Sequence, residues 1–246
     1  MQRLATVLRN RGVRFARVWG VVLASSLLAT VGWSQQPSLT WLGTLGGGVS
    51  FATGVSADGR VVVGEARNTA GNARAFRWEN GAMQDLGTLG GYRSEASGVS
   101  ADGGVVVGGT YNADSYQRAF RWENGIMQDL GTLGGREGVA MDVTADGRVV
   151  VGAAEDATRW WYAFRWTATG GMENLNITYT RLLTPGSALW QASAISPDGR
   201  YIVGYGLNAT TRRVEGFLLD TVPEPTSLLM LGVGLAGLLG LRRRKQ

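Results

Sequence analysis

The sequence predicts an all-β fold of four repeats of about 44 residues, and three recurring phrases predict it. LGTLGG occurs at 42–47, 86–91 and 130–135. AFRWENG occurs at 75–81 and 119–125, with AFRW again at 163–166. GVSADGRVVVG at 54–64 returns as GVSADGGVVVG at 98–108, DVTADGRVVVG at 142–152 and AISPDGRYIVG at 194–204, at offsets of 44, 44 and 52. A fixed period in this range signals supersecondary units that each need a neighbour to bury their apolar face.

Within a unit every local signal reads as strand. Asp58-Gly59, Asp102-Gly103, Asp146-Gly147 and Asp198-Gly199 stand between GVS-type and VVVG-type segments, where a type I′ hairpin turn with positive φ is expected. In AFRWEN the large apolar side chains alternate, so Phe76 and Trp78 share one face and Arg77 and Glu79 the other. Asn80-Gly81 and Asn124-Gly125 then turn the chain into MQDLGTL. Each unit thus has four short antiparallel strands, GVS, VVVG, AFRW and DLGTL, and no helical periodicity competes between residues 38 and 220.

Four-stranded units of about 40–45 residues suit the blades of a β-propeller. The repeat region opens with SLTWLGTL, a lone fourth strand, and ends with EGFLLD at 215–220, a third strand without a fourth. Pairing residues 39–45 with 214–220 would close a four-bladed propeller through its N-terminal strand. A Greek-key sandwich of the same strands is the alternative.

Charge placement narrows the function. The net charge is +5, but five of the 24 basic residues lie in 1–34 and four in 242–245, while all 19 acidic residues fall in 35–225, which leaves that stretch at −4. The basic footprint of a nucleic-acid binder is absent from it. The chain has no cysteine and no histidine. Disulfide bracing, imidazole metal sites and Ser-His-Asp or Cys-His catalysis are therefore excluded, and neither cofactor nor metal is expected.

The two ends read as targeting segments. Arg3, Arg9, Arg11, Arg14 and Arg17 precede an apolar stretch from Val18 to Val31, with small residues Gly32 and Ser34 before Gln35, the layout of a secretory signal peptide over 1–34. At the other end, Ser227 to Leu241 gives 15 uncharged residues, short against the roughly 20 of a spanning helix. Arg242, Arg243, Arg244 and Lys245 follow as a basic stop, held on the cytoplasmic side by the positive-inside bias. The organisation expected is a signal peptide at 1–34, a β-repeat domain at 35–221, and a sorting segment with a short transmembrane helix at 222–246.

Both the repeats and the tail resemble known families. The AFRWENG, DLGTLGG and ADGRVVVG phrases, over roughly 38–220, are similar to the HAF repeat of extracellular bacterial proteins, a resemblance that implies no defined activity. Residues 222–245, with Pro223-Glu224-Pro225, the short apolar run and the basic end, resemble a PEP-CTERM sorting signal. That resemblance implies recognition and cleavage near Pro223-Glu224-Pro225 by an exosortase-type membrane protease in an exopolysaccharide-producing Gram-negative bacterium. Signal peptidase would act at the other end, the membrane would be engaged through 227–241 only before processing, and the mature protein would reside in the envelope or outside the cell. Exopolysaccharide is the matrix partner this setting offers.

Simpler roles account for most of the candidate site residues. Phe76, Trp78, Phe120, Trp122, Phe164 and Trp166 recur because each unit buries the same face. In RWWYAFRW, Trp160, Tyr162, Phe164 and Trp166 share a face by alternation, which leaves Trp161 pointing away as the ligand-facing aromatic. The repeated Asp58, Asp102, Asp146 and Asp198 are explained by turns without calcium. Glu155, Asp156 and Glu173 are the carboxylates from which a glycosidase pair would be drawn. The reading that results is an exported, non-enzymatic β-repeat protein with a structural or adhesive role, with no catalytic residues assigned. A carbohydrate-active enzyme with a carboxylate pair and a permanently membrane-tethered binding protein are the alternatives.

Overall fold

A computed structural model describes residues 37–222. The first sheet is formed by β1 (Gly46–Val55), β2 (Val61–Asn68), β3 (Ala73–Glu79) and β4 (Ala82–Asp85). The second comprises β5 (Gly90–Val99), β6 (Val105–Asn112), β7 (Gln117–Glu123) and β8 (Ile126–Asp129), and the third β9 (Gly134–Val143), β10 (Val149–Asp156), β11 (Trp161–Thr167) and β12 (Gly171–Asn174). Among the described residues the fourth has β13 (Ala188–Ile195), β14 (Tyr201–Asn208) and β15 (Arg213–Asp220). Strands are antiparallel and neighbours in sequence order, so each sheet is a meander and the Greek-key alternative does not apply.

The strand boundaries differ from the sequence reading in one instructive way. The fourth strand of a unit is only Ala82–Asp85 or Ile126–Asp129, and LGTL is a linker to the next sheet. Leu86 and Leu130 of that linker are buried, and their amides donate to the carbonyls of Ala75 and Ala119. The Gly-Gly that follows begins the next sheet instead of ending the last one. A second difference is a short insertion that accounts for the longer 52-residue offset: α1 (Leu175–Thr178) and a 3-10 turn (Thr180–Leu182) lie between the third and fourth sheets. Asn174 caps α1 by accepting from the Asn176 amide, and the Asn176 side chain both donates to and accepts from the Leu189 backbone.

Turn chemistry divides into two kinds. At Asn80-Gly81 and Asn124-Gly125 both residues have positive φ, the requirement of a type I′ turn. The Asp-Gly loops differ from expectation, because only the glycine is left-handed: Gly59, Gly103, Gly147 and Gly199 have φ of 73°, 73°, 71° and 78°. The loop is also longer than a two-residue hairpin. The Gly59 amide donates to the Ser56 carbonyl, while Asp58 Oδ1 accepts from the Ser56 hydroxyl at 2.7 Å and the Arg60 amide at 3.0 Å. The same bonds recur at Ser100–Asp102, Thr144–Asp146 and Ser196–Asp198.

Packing is sequential. Val61, Val63 and Leu86 of the first unit meet Val106, Phe120 and Trp122 of the second. Val105, Val107 and Leu130 meet Val150, Phe164 and Trp166 of the third. Val151 and Leu175 meet Ile195, Ile202 and Leu219 of the fourth. Polar stitches run alongside: the amides of Ala57, Ala101 and Ala145 donate to the carbonyls of Ala101, Ala145 and Pro197. Arg77 and Arg121 reach forward to the carbonyls of Gly103 and Gly147.

Among the described residues no core cluster joins the fourth sheet to the first, and residues 39–45 form no strand beside 214–220. The expected ring closure is therefore wrong, and the described sheets form no closed propeller. The physical reason lies in the packing: each core cluster joins one sheet to the next and, among the described residues, none brings the fourth sheet against the first, into which the linker from Gly43 leads. The open edge of β15 lies in the last.

Candidate functional site

The first strand of every unit carries a β-bulge, between Ala52 and Gly54 in the first and between Ala96 and Gly98 in the second. The bulged strand presses on the glycine that ends each VVVG-type segment. A β-carbon on Gly64, Gly108, Gly152 or Gly204 would stand 1.9, 2.1, 2.1 or 1.9 Å from the carbonyl oxygens of Phe51, Glu95, Val139 or Gln191. Glycine is thus required by close backbone approach. Around this fixed geometry the side chains change from unit to unit. Positions 51, 95, 139 and 191 are Phe, Glu, Val and Gln, and their cross-strand partners 65, 109, 153 and 205 are Glu, Gly, Ala and Tyr.

That variation gives the gaps between sheets different contents. Between the second and third sheets Val139 is buried, and the Gly109 position lies directly against it. The gap between the first and second sheets is a cleft of about 510 Å³ whose lining includes Phe51, Glu65, Arg93 and Glu95. One Arg93 nitrogen lies 2.7 Å from Glu65 and 2.5 Å from Glu95. Partial burial works against the Arg93 charge, but the hydrogen bond to Glu65 and the charges of both glutamates raise its pKa. The guanidinium occupies the space between the two carboxylates, where a scissile oxygen would have to sit.

Between the third and fourth sheets lies an aromatic cleft of about 530 Å³, lined by Arg159, Trp160, Trp161, Trp190, Gln191 and Tyr205 above Ala153. The β10–β11 turn presents the first two aromatics. Asp156 Oδ1 accepts from the amides of Thr158 and Trp160, and Arg159 takes a φ of 69°, which leaves Trp160 two-thirds exposed at 66%. Trp161 opens β11 opposite Glu155. Trp190 sits at an irregularity of β13 between Leu189 and Gln191, and the Tyr205 hydroxyl donates to Gln191 Oε1 at 3.3 Å. Glu155 lies beneath, buried, accepting from the Arg136 amide and from Arg159.

Trp161 lines the cleft. Trp160 was expected on the buried face with Phe164 and Trp166, yet it precedes the strand and lies in the turn, where alternation does not apply. Trp190 and Tyr205 were missed. Their signal was present in the repeat alignment, since Trp190 replaces Ser50, Ser94 and Gly138, and Tyr205 replaces Glu65, Gly109 and Ala153. Phe76, Phe120 and Phe164 are fully buried, as repeat logic required. Glu155 and Glu173 bind separate arginines, Arg159 and Arg165, and do not face one another. No cluster of metal-ligating side chains occurs among the described residues.

The last described contacts lie just after β15. The Thr221 amide and hydroxyl donate to the Arg200 carbonyl, both at 2.9 Å, and the Val222 amide donates to Asp220. Residues 221–245 match the PEP-CTERM protein-sorting motif. The PEP-CTERM motif implies an exported protein processed by an exosortase-type enzyme. It begins at the residue after β15 ends, and its first two residues, Thr221 and Val222, still hydrogen-bond to the β-fold. Pro223, Glu224, Pro225, the apolar run 227–241 and the basic stop Arg242–Lys245 fall within the motif; they and residues 1–34, where a signal peptide is expected, lie outside the described residues. Among the described residues no helix is long and apolar enough to cross a membrane.

No curated protein sequence matches the chain. Among solved structures, TolB of Agrobacterium tumefaciens is similar over 68% of this chain and 60% of its own, with 16% identity and a TM-score of 0.49. TolB of Acinetobacter baumannii is similar over 72% of this chain and 45% of its own, with 13% identity and a TM-score of 0.46. The chain thus spans less than two thirds of either one.

Proposed function

We propose that this protein is an exported, non-enzymatic binding module that holds polysaccharide of the cell envelope or surrounding matrix in the cleft between its third and fourth sheets. The observation that carries this reading is the convergence of Trp160, Trp161, Trp190 and Tyr205 on one open cavity. Sugar rings present C–H faces that stack on aromatic rings, and their hydroxyls need donors and acceptors of the kind Gln191, Tyr205 and Arg159 offer. The cleft lining contains no carboxylate, so the arrangement suits retention of a glycan better than its hydrolysis. The PEP-CTERM motif supports the setting, and the repeats' resemblance to HAF units is compatible with it.

A screen of the full chain against a panel of bacterial exopolysaccharides tests the reading. Binding is expected, weakened by Trp160→Ala or Trp190→Ala on the order of 3- to 10-fold per ring, from an aromatic contribution of about 0.5–1.5 kcal/mol. Affinity unchanged in both variants removes the cleft from the account. Reducing ends released by the wild-type protein and abolished by Glu65→Gln or Glu95→Gln would favour the enzyme instead.

A further inference from the structure

Among the described residues the fourth sheet has no fourth strand, and residues 39–42 are a fourth-strand segment that joins no described sheet. In the first two sheets, Met83, Gln84 and Asp85 pair with Trp78, Arg77 and Phe76, and Met127, Gln128 and Asp129 pair with Trp122, Arg121 and Phe120. By repeat offset Leu39, Thr40 and Trp41 stand in the same place, yet they form no strand, and Leu39 and Trp41 are 79% and 87% exposed. The linker that follows them is already set as though a strand preceded it. Gly43 and Gly46 have φ of 79° and 94°, against 80° and 97° at Gly87 and Gly90. The Ser50 hydroxyl donates to Gly43 as Ser94 does to Gly87, and Leu45 bridges Asn68 as Leu89 bridges Asn112.

The two ends of the stack also expose matching faces. Tyr201 and Val203 of β14 are exposed where Val61 and Val63, Val105 and Val107 are buried under the next sheet, and Leu218 of β15 is 68% exposed. On the first sheet Val55 is exposed where its equivalents Val143 and Ile195 are buried against the preceding sheet. One end therefore has the surface that receives a following sheet, and the other has the surface that follows one.

We infer that a second copy of this chain docks head to tail, its residues 39–42 adding to β15 as the missing fourth strand and its first sheet stacking on the exposed face of the fourth. Repeat register sets Trp41 opposite Phe217, Thr40 opposite Leu218 and Leu39 opposite Leu219. The contact continues the packing that already joins each sheet to the next, and it hides a strand edge that is otherwise free among the described residues. The interface is heterologous, using different surfaces on the two copies. Two stitches of the internal junctions are missing from it: Pro197 has no amide proton to pass on, and Leu218 replaces the forward-reaching arginine. Association is accordingly weaker than the internal packing and depends on concentration.

The test uses the full chain in detergent. Light scattering is expected to show mass rising above the monomer with concentration, and Trp41→Asp and Leu218→Asp each to restore the monomer without changing the melt of dilute protein. Because the chain has no cysteine, a mixture of Thr40→Cys and Leu218→Cys proteins is expected to form a disulfide between the two variants on oxidation, and neither alone to form one with itself. A monomer at every concentration, association that survives both aspartate variants, or crosslinking only of like with like overturns the inference.

Discussion

The amide of Ala145 donates to the carbonyl of Pro197 at 3.1 Å, the last step of a ladder that begins at Ala57 and passes through Ala101. Each step joins the Asp-Gly loop of one sheet to that of the next, and the proline ends it because it carries no N–H. The loops are therefore part of the inter-sheet contact as well as turns within a sheet. Their glycines show this in steric terms.

Gly59 and Gly147 occupy equivalent loops but differ in surroundings. A β-carbon at Gly59 would meet nothing within 4 Å, whereas at Gly147 it would stand 2.6 Å from Val105 Cγ2 of the preceding sheet. Gly59→Ala is expected to cost about 1–2 kcal/mol for its left-handed backbone. Gly147→Ala should cost about 1–3 kcal/mol more for overpacking. Urea denaturation of the two variants measures the difference, and equal losses would show that the inter-sheet contact at the loop contributes nothing.

Acid should loosen the same loops. The Asp102 carboxyl is held below the usual carboxylate range by the Ser100 hydroxyl and the Gly104 amide, and Asp146 by the Thr144 hydroxyl and the Arg148 amide. Asp58 is held down by the Arg60 amide and the Ser56 hydroxyl, and Asp198 by the Ser196 hydroxyl and the Arg200 amide. A carboxyl whose folded pKa is depressed stabilises the fold above its unfolded value near 3.9, and that contribution is lost as pH falls through the lower folded value. Asp142 acts in the opposite sense, since burial raises its pKa despite the amides of Ile195 and Val143. Glu123, Asp156, Glu215 and Asp220 are also held low, by Arg121, by the Thr158 hydroxyl, by Thr211 and by Arg200, so with Asp142 alone among these carboxyls in the opposite sense the melting temperature should fall as pH drops below about 4. The Asp102→Asn/Asp146→Asn double variant keeps the acceptor oxygens and should show a shallower fall, read by circular dichroism at pH 7 and pH 3.

Processing of the PEP-CTERM segment can be read by mass. The extracellular protein should lack Arg242–Lys245, and replacing Pro223-Glu224-Pro225 with alanines should leave full-length chain in the membrane fraction. Intact Leu241 to Gln246 on protein recovered outside the cell would favour the permanently tethered alternative.

Sequence alone determined the repeat unit, the first three strands of each unit, the buried Phe76, Phe120 and Phe164, the Asn-Gly turns and the sorting tail, because each rests on interactions within a few residues or on direct repetition. Alternation places Phe76 inward whatever the sheets do next, and positive φ at Gly81 follows from a two-residue turn. Only the tertiary structure decided that the sheets stay an open series, that Trp160 leaves the core face for a turn, and that Trp190 and Tyr205 come to line one cavity with Trp161. Those outcomes depend on how one sheet sits on the next and on where a bulge turns a side chain into the gap. Neither is encoded in the periodicity of a single strand, because a bulge breaks that periodicity and inter-sheet packing is set by side chains of successive repeats, such as Val61 and Phe120.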